Sequence, residues 1–289
     1  MKYAFVHAHA QQFPIAAMCR VLQVSRSGCY AEANRPLSLR CRQDLELRSK
    51  IEALHAAHRQ TPGIVKMWRL LNDGGVQCGR NRVARLRRIA GIETLRTRRF
   101  KNMFRLKKVE PPVPDLVQRS FKVTGLNKVW VGDMTFLNTR AGSVCLAVYI
   151  DLCSHRVVGW AMAPTGTALL GMTALQKGID VQQPPSGLIC HTDQGAAYTA
   201  TRYRALLADT QMRPSMSRKG NCHDNAVAES FFSNLKNELT HNFIYNDAAA
   251  AEKAIGDYID VYYNRSRIHQ SLDYRTPAQV EALHRLTPE

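Results

Sequence analysis

The sequence predicts an α/β chain in two unlike parts: a basic all-helical region with helix-turn-helix shape, then a core built on a mixed sheet. Charge is the first observation behind this division. Of 289 residues, 40 are Lys or Arg against 23 Asp or Glu, a net charge of +17. Residues 1–110 hold 23 of the bases against 7 acids, whereas residues 111–289 are nearly balanced at 17 to 16. Pattern is the second observation. Apolar residues recur at helical spacing through the basic half, and strand-like runs then alternate with helical ones. The Pro-rich stretch Pro111-Pro112-Val113-Pro114 separates the two as a linker over 111–123.

The first segment, residues 1–38, carries the stretch Pro14–Glu32. It reads as a helix, a turn at Val24–Ser25, and a second helix capped by Ser25 or Ser27. Ala16, Ala17, Val21 and Leu22 are the expected apolar face of the first helix. Residues 39–110 read as a basic helical unit. Leu45, Leu47, Ile51, Leu54 and His55 follow helical spacing, and Pro62-Gly63 interrupts it. A helix from Ile64 to Leu71 stops at Asn72-Asp73-Gly74-Gly75. The next, ending at Gly91, sets an apolar stripe of Val83, Leu86 and Ile89 among Arg80, Arg82, Arg85, Arg87 and Arg88. Five arginines with no acid between them repel unless an anion lies against them, so these residues are candidates for DNA contact. Arg98, Arg99 and Lys101 extend the same character among Phe100 and Phe104.

Residues 124–289 form the α/β part. Lys128–Asn138 and Ser143–Leu152 are strand-like and joined by a turn at 139–142, so they predict a hairpin. Arg156–Met162 is a third strand, 187–191 a fourth and 212–216 a short fifth. Helices are expected over 167–179, 199–208, 225–240, 248–263 and from Pro277 onward.

Several function classes are excluded. The longest apolar run, Val144–Ile150, has seven residues, and a bilayer span needs about 20. The first 30 residues hold His7, His9, Gln11, Gln12 and Arg20 rather than a secretory apolar stretch. A cytoplasmic protein with no membrane association is expected. The eight cysteines include no CxxC pair, which fits reduced thiols, and His55 and His58 lack a second ligand pair for zinc.

Three carboxylates stand out. Asp133 lies inside an apolar strand, where an ionised group needs a partner. Asp193 follows the strand Leu188-Ile189-Cys190, at the carboxyl end where α/β sheets place ligands. On the helix from Asn225, about 100° per residue puts Val227, Phe231, Leu235 and Leu239 on one face. Asn225, Glu229, Ser233 and Lys236 fall on the other. Three acids on three elements suggest an oxygen-only site for Mg²⁺ or Mn²⁺, able to hold two ions for chemistry at phosphorus.

At this point the sequence resembles the second-frame catalytic subunit of bacterial insertion-sequence transposases, whose DDE integrase core is related to retroviral integrases. The resemblance rests on WVGDMTFL around Asp133, YIDLCSHRVVGWAM, HTDQGAAYTA around Asp193, SMSRKGNCHDNAVAESFFSNLKNEL around Glu229, and YYNRSRIHQSLDYRTPAQ. The 59 residues between Asp133 and Asp193, and the 35 between Asp193 and Glu229, match the family spacing. The resemblance implies a ribonuclease-H-like core with Asp133, Asp193 and Glu229 as catalytic metal ligands, and leaves Asp151 and Asp224 outside that set; a structural role at the hairpin end is expected for Asp151. It implies that Lys236, seven residues after Glu229, contacts the DNA end. Where family members carry a Tyr-Gly-x-Arg-Arg-Ile-like block, this chain departs, with Thr61–Met67.

The implied function is metal-dependent cleavage at transposon ends and transfer of the 3′-hydroxyl into target DNA. Terminal inverted repeats, target DNA, further copies of the chain and an upstream-frame partner or fusion are the implied partners. Two other functions use the same residues: a DNA-binding regulator with an inactive core, or a plain ribonuclease-H-type nuclease. Intact acids oppose the first, and the basic helical units oppose the second.

Overall fold

The amino-terminal helices gather around two separate apolar clusters. The computed structural model describes residues 2–33, 38–94, 113–118, 123–217, 226–240 and 244–286. Helices α1 (Lys2–Ala8), α2 (Ile15–Val21) and α3 (Arg26–Ala33) enclose Val6, Met18, Cys19 and Cys29. Ser25 caps α3, its Oγ accepting from the Gly28 N–H at 2.9 Å. The buried face of α2 differs from the expected one. Met18 and Cys19 are buried with Ile15 and Leu22 packed beside them, while Ala17 is exposed and Val21 is 80% exposed. Ile15, Met18, Cys19 and Leu22 follow the i, i+3, i+4, i+7 pattern, and α1 closes over that stripe.

The second cluster joins α4 (Leu39–Ala57), α5 (Ile64–Asp73) and α6 (Arg80–Ile89) through Leu47, Ile51, Met67, Leu71, Val83 and Leu86. Leu45 and Ile89, expected in the apolar stripes, are both more than half exposed. Arg87 turns inward instead, and its Nη1 donates to the Pro62 carbonyl at 2.6 Å. That carbonyl sits in the loop between α4 and α5, where no regular backbone partner is available to it.

The core sheet contains β1 (Val129–Thr139), β2 (Gly142–Asp151), β3 (Val157–Ala163), β4 (Ile189–Thr192) and β5 (Arg213–Met216) in the order β3-β2-β1-β4-β5. The first three strands are antiparallel neighbours, and β4 and β5 join in parallel. Helices α7 (Ala168–Gln182), α8 (Ala196–Thr199) and α9 (Thr201–Asp209) cover one face. Helices α10 (Ala226–Leu235) and α11 (Ala248–Gly256) cover the other, and α12 (Pro277–Leu286) comes last. Strand β2 shows why both faces need cover. Val144, Leu146, Val148 and Ile150 enter the α10–α11 side, and Cys145, Ala147 and Tyr149 enter the α7–α9 side. At β3, a Cβ on Gly159 would collide with the Ala174 carbonyl of α7, so strand and helix approach only because the residue is glycine.

The expected helices over 225–240 and 248–263 each change pitch part-way. α10 passes into a π-helical turn, Lys236–Thr240, and α11 into another, Asp257–Tyr263. The second turn meets the α4–α5 loop. Tyr262 Oη donates to the His58 carbonyl at 3.1 Å and lies 3.2 Å from Thr61 Oγ1. The Arg59 guanidinium stands 5.2 and 5.1 Å from the ring centres of Tyr258 and Tyr262. No disulfide joins the described cysteines. No described helix is long and apolar enough to cross a membrane.

Candidate active site

Strand parity aims Asp133 at α10. Val129, Val131 and Leu137 of β1 pack into the cluster that contains Phe231 and Leu235 of α10, and Asp133 shares their parity. Parallel pairing then sets the height of Asp193. Val131 pairs with His191, and each aspartate follows two residues beyond that row. Asp193 is exposed, and its Oδ1 accepts from the Gly195 N–H at 2.9 Å. A Cβ on Gly195 would lie 2.8 Å from that same oxygen, so glycine permits the tight turn. Glu229 is exposed in the first turn of α10, whose opposite side buries Ala228, Phe231, Phe232 and Leu235.

The electrostatics tie these residues together. Burial pushes the Asp133 carboxyl up to about 7, and the negative charges of Asp193 and Glu229 push the same way. The Met134 N–H, donating to Asp133 Oδ1 at 2.7 Å, and the Lys236 ammonium oppose that rise. Lys236 is half-buried where the π-helical turn begins; burial lowers its pKa and Asp133 raises it. Among the described residues, no group of three or more His, Cys, Asp or Glu converges closely enough to hold a metal ion. The three carboxylates therefore share one electrostatic neighbourhood without forming a closed ligand set. Their donor chemistry still fits a hard divalent cation: oxygen ligands only, and more negative charge than Lys236 offsets.

Asp151 has a different place, at the end of the hairpin. It is 2% exposed and accepts from the Asn127 N–H, the Ser154 N–H and the Ser154 hydroxyl at 2.8–2.9 Å. The basic candidates lie on the helical unit. Arg80 and Arg88 are exposed on α6. Arg82 Nε and Arg85 Nη2 donate to the Asp44 carboxylate at 2.8 and 2.6 Å. Asp44, on α4, thus supplies an acid that the α6 stretch itself lacks. Buried Arg87 is not part of that exposed face. Arg98, Arg99, Lys101 and Asp224 lie outside the described residues.

Residues 124–222 match the model of an integrase core domain, and residues 210–277 match a second integrase core model. Residues 42–100 match an HTH-like domain. The chain is 37% identical over 235 residues to the transposase for insertion sequence element IS904 of Lactococcus lactis, covering 81% of this chain and 93% of that protein. It is 36% identical over 283 residues to transposase InsF for insertion sequence IS3A of Escherichia coli, covering 97% of this chain and 98% of that protein. The chain belongs to the insertion-sequence transposases with an integrase core. A solved simian T-cell lymphotropic virus intasome in complex with PP2A regulatory subunit B56 gamma is similar at 17% identity and TM-score 0.48, over 82% of this chain and 76% of that one.

The transposase has a helical HTH-like region ahead of a ribonuclease-H-like core, as the sequence predicts. Sequence reasoning names Tyr149 and Tyr198 only as hydroxyls that need not be nucleophiles, and does not foresee the buried phenol layer beside the carboxylates. Tyr198 is fully enclosed, its hydroxyl has no hydrogen-bond partner among the described residues, and Asp133 and Asp193 act on it electrostatically. Tyr149 Oη and Tyr203 Oη meet 2.8 Å apart in the same layer. The Tyr in HTDQGAAYTA was the available signal: a phenol five residues after Asp193 on a one-turn helix. Glu238, Arg267 and His269 form a second buried polar group of this transposase, beyond α10, and no local pattern marks it.

Proposed function

We propose that this transposase cleaves DNA at the ends of its element and joins the freed 3′-hydroxyl to a target phosphodiester. Asp133, Asp193 and Glu229 would hold two Mg²⁺ ions, or Mn²⁺ in their place. The observation that supports this reading is Asp133, an acid whose proton affinity is driven up by burial and by the other two acids. When bound, such ions supply Lewis acidity to the attacking and leaving oxygens at phosphorus.

The protein's part is positioning and charge. Asp133 must give up its proton to serve as a ligand, and the Lys236 ammonium favours that ionised form. The Gly195 N–H fixes one Asp193 oxygen and leaves the other toward solvent. Glu229 rides on a helix whose apolar side is locked into the core, so its carboxylate is presented from a rigid element. Tyr149 and Tyr198 are unsuited to act as nucleophiles, because burial pushes both phenols well above their ordinary range. No covalent protein–DNA intermediate is invoked.

The division of labour is part of the proposal. Segment 1–38 and unit 39–110 bind DNA, 111–123 links, and 124–289 reacts. The partners are terminal inverted repeats, target DNA, further copies of the chain and an upstream-frame segment, in the cytoplasm. A strand-transfer assay on end-bearing duplex tests the reading. Asp133→Asn, Asp193→Asn and Glu229→Gln should each abolish nicking and joining in Mg²⁺ while DNA binding persists. A variant that joins at near-normal rate removes that residue from the site. Cleavage without joining would instead favour the plain nuclease.

A further inference from the structure

Residues 113–118 of the linker cross the sheet at its β5 edge. Val113 packs against the cluster on the α7–α9 side, and Val117, 5% exposed, belongs to the cluster on the α10 side. Between them the backbone is tied to β5. The Leu116 N–H donates to Ser215 Oγ at 2.9 Å, and the Met216 N–H to the Pro114 carbonyl at 3.4 Å. Asp115 shapes the crossing, because its Oδ1 accepts from the Val117 and Gln118 N–H groups at 3.0 and 2.9 Å. An edge strand presents unpaired backbone groups, so part of this cover is protection.

The crossing also reaches the row beneath the carboxylates. Pairing sets Val131, His191 and Ser215 side by side across β1, β4 and β5, and none of the three is more than 1% exposed. Asp133 and Asp193 follow Val131 and His191 by two residues on those neighbouring parallel strands. Alternation from Ile189, which packs on the α10 side, puts His191 on the side toward which Asp133 points. His191 Nδ1 lies 2.8 Å from Ser215 Oγ and 3.9 Å from Asp115 Oδ1. One serine oxygen thus meets both the linker backbone and the imidazole two residues before Asp193. The β4–β5 pairing ends at Thr192, and Asp193 just beyond it is exposed. Asp, His and Ser are the residue types of a nucleophilic triad, but here both oxygens face the same ring nitrogen. With His191 and Ser215 sealed from solvent, the group holds rather than reacts.

We propose that Asp115, Ser215 and His191 are positioning residues: they anchor the linker to the strand end that presents Asp193, and so set the place of that carboxylate as a metal ligand. The proposal rests on the metal-site reading above and adds the outer support of one ligand to it. Groups that orient a ligand from outside change metal affinity by about 10- to 100-fold when removed. They act by moving the ligand, without touching the ion.

The test uses the full chain without DNA, titrated with Mn²⁺, the free ion being read by electron paramagnetic resonance. Joining of an end-bearing duplex is measured in parallel over a range of Mn²⁺ concentrations. Ser215→Ala removes the shared hydroxyl with little change of volume. Asp115→Ala removes the acceptor that shapes the crossing, whereas Asp115→Asn keeps an Oδ1 there. S215A and D115A should each bind Mn²⁺ about tenfold more weakly and need about tenfold more ion for half-maximal joining, with end-DNA affinity unchanged. Saturating Mn²⁺ should recover most of their joining rate, and D115N should resemble wild type throughout. A crossing that only stabilises the fold gives lower melting temperatures with wild-type Mn²⁺ affinity in the folded range. That result overturns the proposal, as does an equal loss in D115A and D115N. Should S215A not fold, the comparison of D115A with D115N decides alone. Asp193→Asn is the separate control: wild-type Mn²⁺ affinity there sinks Asp193 as a ligand, and with it the reading beneath the proposal. Loss in D193N with none in S215A or D115A overturns the positioning role alone.

Discussion

Arg267 donates to both carboxylate oxygens of Glu238, from Nη2 to Oε1 at 2.8 Å and from Nε to Oε2 at 3.1 Å. Tyr258 Oη donates to Oε2 as well, at 2.9 Å. Burial works against the guanidinium charge, and Glu238 more than offsets it. The pair ties the π-helical turn after α10 to the segment that follows the second π-helical turn, so it fixes the wall behind α10.

Breaking this pair from one side should leave a buried charge alone. Arg267→Met or Glu238→Leu should each lower stability by about 3–5 kcal/mol, the range for an orphaned buried ion. The double variant should lose less than the sum of the two. Urea unfolding of the three variants measures this, and single losses under about 1 kcal/mol would show a pair that contributes no more than a surface one.

The pH dependence follows from His269, whose pKa burial, Arg267, His155 and Lys66 push down to about 2. An unfolded His takes up its proton near 6.5. Below that pH the unfolded chain binds a proton that the folded one refuses, so stability falls as the solution is acidified. The contribution is fully present above about 6.5 and is lost progressively down toward 2. His55, His58 and His155 are shifted down by burial and act in the same direction. H269F should therefore show a shallower loss of stability between pH 6 and 4, by up to about 1.4 kcal/mol per pH unit. An unchanged slope in thermal melts across that range would contradict the assignment.

Much of this architecture was legible in the sequence because strands and helices leave different periods. Every core strand was placed, and the apolar runs around them mark Asp133 as an acid inside a strand and Asp193 as one just past a strand's end. The errors have local causes. Ala17 and Val21 were assigned to the core of α2, yet the stripe turns about one residue, toward Met18 and Cys19, because α1 packs there. Ile89 was expected inside and Arg87 outside; the Pro62 carbonyl reverses them. The π-helical turns have no hydrophobic signature, since they alter the pitch without altering which residue types are apolar. Glu238 and Arg267 are 29 residues apart and meet only through tertiary packing. The Asp44 acid that faces Arg82 and Arg85 was equally invisible, being on another helix.

That last pairing yields a prediction about DNA affinity. Arg80 and Arg88 are exposed, whereas Arg82 and Arg85 already share Asp44 and Arg87 is buried. If the first two meet phosphates, the double change to Ala should reduce the slope of log affinity against log salt by about 2. Arg87→Ala should lower stability and leave that slope nearly unchanged. Fluorescence anisotropy over a salt series measures both, and an equal slope change from R87A would reverse the assignment.

Lys236 gives the sharpest test of the active site, because two roles of its ammonium are separable. It shares an electrostatic neighbourhood with Asp133 and favours that carboxylate's ionised form. It also follows Glu229 by seven residues, at the first position of the π-helical turn that continues α10, about 10 Å on at 1.5 Å per residue, which suits a phosphate or base beside the scissile bond. Lys236→Ala should therefore weaken engagement of the element end and lower joining about 10- to 100-fold, the range for losing a hydrogen bond to a charged group. Through Asp133 it should also move the acid limb of the pH–rate profile to higher pH, since removing a cation raises a carboxyl pKa. Lys236→Arg keeps the charge and should hold that limb in place, while its different head geometry restores end binding only in part. Joining rates from limiting to saturating end DNA, measured across pH, separate the two effects. Wild-type behaviour of Lys236→Ala at limiting DNA would remove the contact, and an unmoved acid limb would remove the influence on Asp133.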